Sequence, residues 1–322
     1  MGLPNSYTIL DPDLQIGFHH RLQTIKDLYF HEALSNTIRR LRIADIDSEL
    51  NRYVSDESIN KLALSSLRGE AVFPVPMLLK ENPFLLGYYR LLFGFSQKEF
   101  YGKGAFKGFK SMEEKGKFSR IALEQINPFC ESLIGTAEIF VSQIDNLSVS
   151  YITELQLLTV GPQFRGSKNN EYGRAATQAT FNIIRSLVRD YIVSSTPTSI
   201  EIKNNSGRFV DIAFSSDPDI EIIERMASSK RGLISIEIKG GRDHSNIHNR
   251  IGEAEKSHQK SKLRGYKEFM TIISVDIDYT TLRRESPTTN HFFHLDRISN
   301  HLGVEFNEFS ELLSSILGIN LA

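Results

Sequence analysis

The chain has 322 residues, of which 40% are hydrophobic and 24% charged, and its formal net charge is −1. This length and composition predict a globular protein of one large domain or two smaller ones, and the balanced charge argues against a protein that holds nucleic acid by charge alone. No apolar run approaches the roughly 20 residues that span a bilayer, and the first residues lack a signal-peptide pattern. The single cysteine, Cys130, excludes an internal disulfide, so we expect a cytoplasmic protein that does not contact a membrane.

The first half of the sequence has the apolar spacing of helices. The predicted helices are one capped by Asp13, one over residues 84–93, a short one that begins at the capping box of Ser96 and Glu99, and one over residues 129–144. Residues 101–117 are rich in glycine and lysine and predict an exposed loop. We therefore interpret residues 1–150 as a mainly helical N-terminal region.

The second half changes character after a long amphipathic helix predicted over residues 174–193. Strand-like runs follow at residues 199–203, 208–214 and 233–239, then a helix at 247–264 and a further buried strand at 269–277. A hairpin turn signal, Asn204-Asn205-Ser206-Gly207, separates the first two strands. This order of elements predicts an α/β fold with a mixed sheet over residues 151–322.

The predicted strand over residues 233–239 has two faces of different chemistry. Because side chains alternate along a strand, the isoleucines at 234, 236 and 238 fall on one face, whereas Ser235, Glu237 and Lys239 fall on the other. The segment between Asp219 and Glu237 is long enough for a short strand, a turn and a return strand. We therefore expect the two carboxylates to lie side by side, with the lysine next to them.

These residues are the ones that metal-dependent phosphodiester hydrolysis requires. The carboxylates of Asp219 and Glu237 and the carbonyl oxygen of Ile238 are hard oxygen ligands suited to Mg²⁺. A metal held there lowers the pKa of a bound water and polarises the phosphoryl oxygen, and Lys239 can orient or deprotonate that water. The pattern predicts a Mg²⁺-dependent nuclease in which Asp219, Glu237 and Lys239 are catalytic.

Two alternatives remain open at this site. The same tripeptide, Glu-Ile-Lys, also occurs at Glu201-Ile202-Lys203. We interpret that copy as an ordinary solvent-facing strand, because no Pro-Asp precedes it and a hairpin turn follows it. Asp211 competes with Asp219 for the position of the first acidic ligand.

Basic residues are concentrated in two stretches. Residues 230–270 contain ten Lys or Arg against five Asp or Glu, and residues 101–120 contain six against two. Taken alone, the helix over residues 247–264 fits ordinary ion pairs on a solvated face and phosphate contacts equally well. Beside a nuclease site, the balance favours phosphate contacts. The candidate DNA-binding residues of the two stretches are Lys103, Lys107, Lys110, Arg242, His248, Arg250, Lys256 and Lys260. Three histidines of this region do not have the spacing of zinc ligands; they are His244, His248 and His258. We therefore expect them at the polar surface or in contact with DNA.

A longer set of motifs resembles a known family. Glu237-Ile238-Lys239-Gly240-Gly241, with its continuation from Ser245 to Lys260, is similar to the XcyI family of type II restriction endonucleases, which have the PD-(D/E)xK nuclease pattern. Residues 86–101, 158–163 and 284–290 are similar to the same family. The resemblance spans most of the chain, and the long run is far more specific than the catalytic triplet.

The resemblance implies a restriction-endonuclease-like three-layer α/β/α core over residues 151–322. For residues 1–150, DNA clamping, dimerisation or both stay open. It also implies a homodimer that cuts both strands of a palindromic site in double-stranded DNA with Mg²⁺ as cofactor, and a cognate DNA methyltransferase that acts on the same site. The implied site is CCCGGG, cut after the first C. The catalytic roles carry over to Asp219, Glu237 and Lys239, where the pattern matches.

For two arginines and one glutamate, the sequence leaves two interpretations open. Arg283 and Arg284 are candidates for base contacts, because arginine binds guanine bidentately, but phosphate contact or plain surface is equally compatible with the sequence. Glu171, at the predicted start of the long helix, is either a further carboxylate facing the metal or, as we favour, a simple first-turn helix charge. The competing functions are a structure-specific repair or recombination nuclease of the same fold and a non-catalytic DNA-binding module.

Overall fold

The computed structural model of the chain describes residues 12–102, 104–241, 246–301 and 303–320. The chain divides into two compact units between Lys168 and Asn169, and this division lies within a helix of 39 residues, Val149–Leu187. Among the described helices, none combines the length and the apolar character that crossing a membrane requires.

The first unit is helical, as predicted. Its described helices are α1 (Asp13–Tyr29), α2 (His31–Ile38), α3 (Ile43–Tyr53), α4 (Asp56–Leu64), α5 (Pro76–Glu81), α6 (Leu85–Leu92), α7 (Gln97–Gly102), α8 (Lys110–Lys115), α9 (Arg120–Gln143) and the first part of α10 (Val149–Leu187). Every residue of α6 is buried, and the hydroxyls of Tyr88 and Tyr89 donate to the carbonyls of Ala71 and Glu70 at 2.8 and 2.7 Å. The core of this unit therefore forms around α6.

The capping box predicted before α7 is confirmed. The backbone N–H of Ser96 donates to the Glu99 carboxylate at 2.8 Å, and the N–H of Glu99 donates to the Ser96 hydroxyl at 3.2 Å. These bonds satisfy two donors that the first turn of a helix leaves without a partner. Ser119 caps α9 in a similar way, since its hydroxyl accepts from the N–H of Ala122 at 3.0 Å.

The prediction of an exposed loop over residues 101–117 is wrong. A 3₁₀ turn, Ala105–Phe109, and α8 occupy this stretch, and Phe109, Met112 and Glu113 are buried. The ring of Phe109 stacks on that of Phe129 with centroids 3.7 Å apart. The segment is folded because its few large side chains find partners in distant parts of the chain, which its glycine and lysine content does not reveal.

The second unit contains the sheet. Its strands are β1 (Ile192–Ser195), β2 (Ser199–Lys203), β3 (Phe209–Phe214), β4 (Ile220–Arg225), β5 (Lys230–Lys239), β6 (Glu268–Ile273) and β7 (His291–His294), and its remaining helices are α11 (Ile247–Leu263), α12 (Tyr279–Glu285), α13 (Leu295–Ile298) and α14 (Val304–Leu317). The strands lie in sequence order across the sheet. Neighbours from β1 to β5 are antiparallel, whereas β5, β6 and β7 are parallel, so the prediction of a mixed sheet is confirmed.

Helices cover both faces of this sheet. The isoleucines of β2, β3, β4 and β5 that face one side share a buried cluster with Phe181 and Ile184 of α10 and with Phe309 and Leu313 of α14. Helix α11 packs on the opposite face of β5, where the hydroxyl of Ser235 contacts that of Ser261 at 3.0 Å. The result is the expected three-layer α/β/α arrangement.

The long helix differs from its prediction at both ends. Helix α10 begins at Val149 and ends at Leu187, and residues 192–193 belong to β1 instead. Glu171 therefore lies in the interior of α10, and its explanation as a first-turn helix charge is wrong.

Candidate active site

The antiparallel pairing of β4 and β5 brings Asp219 to Glu237. Ile220 pairs with Ile236, so the residue just before β4 lies opposite Glu237. The carboxylate of Asp219 accepts the backbone N–H of Ile238 at 2.7 Å. This bond fixes the carboxylate at the end of the strand that carries Glu237 and Lys239.

Glu237 and Lys239 lie on the same face of β5, as their alternation predicts. The ammonium of Lys239 is 2.5 Å from Oε2 of Glu237, and the two side chains are only 14% and 6% exposed. Because β5 ends at Lys239, the lysine lies at the end of the strand, whereas Glu237 lies two residues further inside it.

Burial and charge together act on Asp219. Its removal from solvent raises its pKa above the ordinary value, the nearby Glu237 carboxylate raises it further, and the N–H of Ile238 works against both. Two carboxylates held close together and partly shielded from water repel each other. A cation between them would relieve this repulsion.

A serine and a second aspartate, both without a role in the sequence prediction, complete the site. The hydroxyl of Ser257, on α11, lies 2.6 Å from Oε1 of Glu237 and also within hydrogen-bonding distance of Asp217. Lys260 donates to the other oxygen of Asp217 at 2.9 Å. The hydrogen bonds from Ser257 and then from Lys260 hold the pKa of Asp217 below its usual value. The signal in the sequence was the buried face of α11, which places Ser257 toward β5.

The rival acidic residues lie elsewhere in the sheet. Arg225 pairs with both Asp211 and Glu201, with the Glu201 contact at 2.7 Å, and Glu201 and Asp211 face each other across β2 and β3. This ion-pair cluster accounts for both carboxylates. The structure brings Asp219, and not Asp211, to Glu237.

A cleft of about 640 Å³ opens at the end of β5. Its floor includes Asp219, Ile238 and Lys239, and its walls come from α10 and from the first turns of α11. Gly240 and Gly241 make this arrangement possible. A Cβ at Gly240 would overlap with Ala176 of α10, and a Cβ at Gly241 would overlap with the guanidinium of Arg250.

The predicted DNA-binding residues of the second unit differ in their surroundings. Arg250 lines it. Lys256 and Lys260 are exposed on α11, and Lys260 is the partner of Asp217 already described. Arg283 and Arg284 are exposed on α12, whereas His248 pairs with Glu285 at 2.8 Å.

In the first unit, Lys107 and Lys110 are exposed, and Lys110 pairs with Glu114 at 3.0 Å. Lys103, Arg242 and His244 lie outside the described residues.

The expectation for His258 is wrong, because this side chain is fully buried. Its Nε2 lies 2.9 Å from the hydroxyl of Thr271, and its Nδ1 lies 3.4 Å from that of Ser235. Burial lowers its pKa to about 4, so the ring is neutral at pH 7. It belongs to a polar contact between α11 and the sheet and reaches neither solvent nor DNA.

The donor set at the end of β5 fits a hard divalent cation. Two carboxylate groups, from Asp219 and Glu237, are joined by the carbonyl oxygen of Ile238, and all of these are oxygen donors of the kind that Mg²⁺ prefers. No cluster of three or more His, Cys, Asp or Glu suited to a metal occurs within the described part of the chain. The protein would therefore supply a partial shell and leave positions for water and for phosphate oxygens.

Comparison with known proteins defines the class. A model of the XcyI restriction endonuclease family matches residues 19–320. The chain is 40% identical to the type II restriction enzyme Cfr9I of Citrobacter freundii over 99% of both chains. It is 42% identical to the type II restriction enzyme XcyI of Xanthomonas campestris pv. cyanopsidis, over 99% of this chain and 98% of that one. The fold, the site and these relatives define a type II restriction endonuclease, an enzyme that is a site-specific deoxyribonuclease. Within this class, the chain belongs to the XcyI restriction endonuclease family.

Proposed function

We propose that the enzyme hydrolyses phosphodiester bonds in double-stranded DNA with Mg²⁺ as cofactor, through Asp219, Glu237 and Lys239. The observation that supports this proposal best is the meeting of these side chains at the end of β5, beside an open cleft. For the sequence that is cut, we propose the palindrome CCCGGG, with cleavage after the first C, because the family motifs imply that site.

Each residue has a distinct task in this proposal. Asp219, Glu237 and the carbonyl of Ile238 would hold the metal, which when bound would supply Lewis-acid chemistry to a water and to the phosphoryl group. Lys239, as the ammonium, orients the attacking water by donating a hydrogen bond to it. Its charge also stabilises the phosphoryl oxygens.

The basic residues hold the DNA backbone in this proposal. Arg250 lines the cleft at the site, and Lys256 and Lys260 are exposed further along α11. Lys103, Lys107, Lys110, Arg242 and His248 are proposed as further DNA contacts, and Arg283 and Arg284 as contacts to the bases.

We further propose that the enzyme acts as a cytoplasmic homodimer, that residues 1–150 clamp DNA or form the dimer, that residues 151–322 form the catalytic core, and that a cognate methyltransferase protects the same site.

The test is digestion of unmethylated phage DNA by the purified enzyme, with Mg²⁺ and with EDTA. We expect discrete fragments that require Mg²⁺, whose sequenced ends give CCCGGG and the cut after the first C. DNA methylated at that site should resist digestion. A Mg²⁺-dependent smear would contradict site-specific cleavage, fragments with other ends would contradict the proposed sequence, and fragments formed in EDTA would contradict the metal requirement.

A further inference from the structure

The wall of the cleft that α10 contributes has a repeating polar face. Asn170, Arg174, Thr177 and Gln178 line the cleft from successive turns of this helix, since residues three, four and seven apart share a helix face. The sequence prediction gave none of these residues a role. Arg174 is the one cation among them.

The two glycines after the catalytic strand bring one arginine to each side of the site. At Gly240 the backbone of α10 approaches β5 so closely that a Cβ would lie 3.0 Å from the carbonyl oxygen of Tyr172. At Gly241 the space of a side chain is taken by the guanidinium of Arg250 from α11. Because α10 and α11 cover opposite faces of β5, Arg174 and Arg250 line the cleft from its two sides.

Both arginines lack a carboxylate partner among the described residues. Neither Arg174 nor Arg250 forms an ion pair or a side-chain hydrogen bond with any of the residues that the structure describes. Glu253, an acidic residue of the α11 wall, pairs with neither. By contrast, exposed Arg120, Arg189 and Arg225 all pair with carboxylates. An unpaired guanidinium that faces a cleft is suited to a ligand with planar or tetrahedral oxygen groups, which it binds through two parallel N–H bonds.

We propose that Arg174 is a further DNA-binding residue, which holds a backbone phosphate of the strand being cut, on the side of the cleft opposite Arg250. This inference rests on the proposed nuclease function, because the floor of the cleft, with Asp219 and Lys239, is where the scissile phosphate would lie. The strand must enter and leave that floor along the walls. A phosphate contact at Arg174 would position the strand without selecting its sequence.

The experiment measures binding of Arg174→Ala to a short unmethylated duplex across a range of salt concentrations, with Ca²⁺ in place of Mg²⁺. We expect roughly tenfold weaker binding and a slope of log affinity against log salt that is lower by about one for each bound subunit, since one phosphate contact is lost per subunit. The same proportional loss should occur on a duplex that lacks the recognition site. Arg174→Lys should recover the slope, because it keeps the charge.

The matched control is Arg189→Ala. Arg189 is also an exposed arginine and lies just beyond α10. It pairs with Asp190 at 3.4 Å and does not line the cleft, so its removal should leave both affinity and slope unchanged. An unchanged slope in Arg174→Ala, or a loss confined to the cognate duplex, overturns the phosphate contact. If wild type cuts DNA normally in that case, the proposed function stands and this inference alone fails. A wild type that shows no Mg²⁺-dependent cutting overturns both.

Discussion

The two carboxylate oxygens of Glu237 have separate partners. Oε2 faces the ammonium of Lys239 at 2.5 Å, and Oε1 faces the hydroxyl of Ser257 at 2.6 Å. Both contacts are hydrogen bonds, and because a hydrogen bond depends on direction, the two partners together fix the rotation of the carboxylate. Ser257 is therefore placed to orient Glu237 for the proposed metal binding.

This role predicts the behaviour of Ser257→Ala. Loss of the hydroxyl should raise the Mg²⁺ concentration for half-maximal cleavage, or lower the rate, by about 10- to 100-fold, as is typical when a partner of a metal ligand is removed. Ser261→Ala is the control, because Ser261 bonds to Ser235 and not to a carboxylate. Equal Mg²⁺ dependence in Ser257→Ala and wild type would show that Ser257 does not position Glu237.

Lys239 is predicted to serve the chemical step and not DNA binding. Lys239→Ala should lower the cleavage rate by about 10²- to 10⁴-fold and leave the affinity for DNA close to that of wild type in a gel-shift assay. Glu201→Ala provides the comparison, since Glu201 pairs with Arg225 and neither residue lines the cleft, and it should cut nearly normally. Loss of cutting in Glu201→Ala, or normal cutting in Lys239→Ala, would mean that the other Glu-Ile-Lys is catalytic.

At this scale the sequence predicted the residues of β5 but not those that support them. Alternation along a strand and a preceding aspartate were enough to place Asp219, Glu237 and Lys239 together, because both signals are local. Ser257 and Arg174 were missed for the same reason. Their roles depend on which face of α11 or α10 meets the end of β5, and that depends on packing between elements far apart in the chain.

At the scale of the element, α8 shows how a polar segment becomes core. Its Glu113 is completely buried and accepts two hydrogen bonds from Arg90 of α6, at 2.7 and 2.8 Å. Tyr101 and Gln97 also donate to this carboxylate, at 2.7 and 2.8 Å. Burial acts to raise the pKa of Glu113, but the hydrogen bonds and charge of Arg90 outweigh it and hold the pKa below its ordinary value. The pair therefore remains ionised.

Breaking this pair should destabilise the first unit strongly. Glu113→Ala leaves Arg90 buried with its charge uncompensated, and we expect a loss of about 3–5 kcal/mol in the free energy of unfolding. Glu114→Ala removes an adjacent glutamate that is 37% exposed and pairs with Lys110 on the same helix. It should cost at most about 0.5 kcal/mol. Urea denaturation followed by circular dichroism compares the two, and similar losses would refute the structural role of the buried pair.

The elements that the sequence predicted well are those with local signals. The capping box of Ser96 and Glu99 predicted α7, and the turn at residues 204–207 predicted the pairing of β2 with β3. Residues 101–117 were mispredicted, since Glu113 and Phe109 are held by Arg90 and Phe129, which no local pattern identifies. Strands β1 and β7, with four residues each, were not predicted either, because so short a strand is stabilised mainly by its neighbour in the sheet.

At the scale of the whole molecule, the order of predicted elements was enough for the fold class. Three strands, a helix and another strand allow few arrangements other than a mixed sheet with helices on both faces. The sheet itself then explains the site. Its change from antiparallel to parallel pairing occurs at β5, so the strand that carries Glu237 and Lys239 has β4 with Asp219 on one side and a parallel partner on the other.

Each chain carries one set of Asp219, Glu237 and Lys239, whereas a cut through both strands of a palindrome requires two. The proposed homodimer therefore predicts the behaviour of mixed dimers, in which a wild-type subunit and a Lys239→Ala subunit are co-expressed with different tags and purified through both. Such dimers should convert supercoiled plasmid to nicked circles and then stop, because only one strand meets an intact site. Doubly tagged wild-type dimers should give linear DNA. Linear product from the mixed dimers at the wild-type rate, or failure to recover any doubly tagged species, would contradict the arrangement in which each subunit cuts one strand.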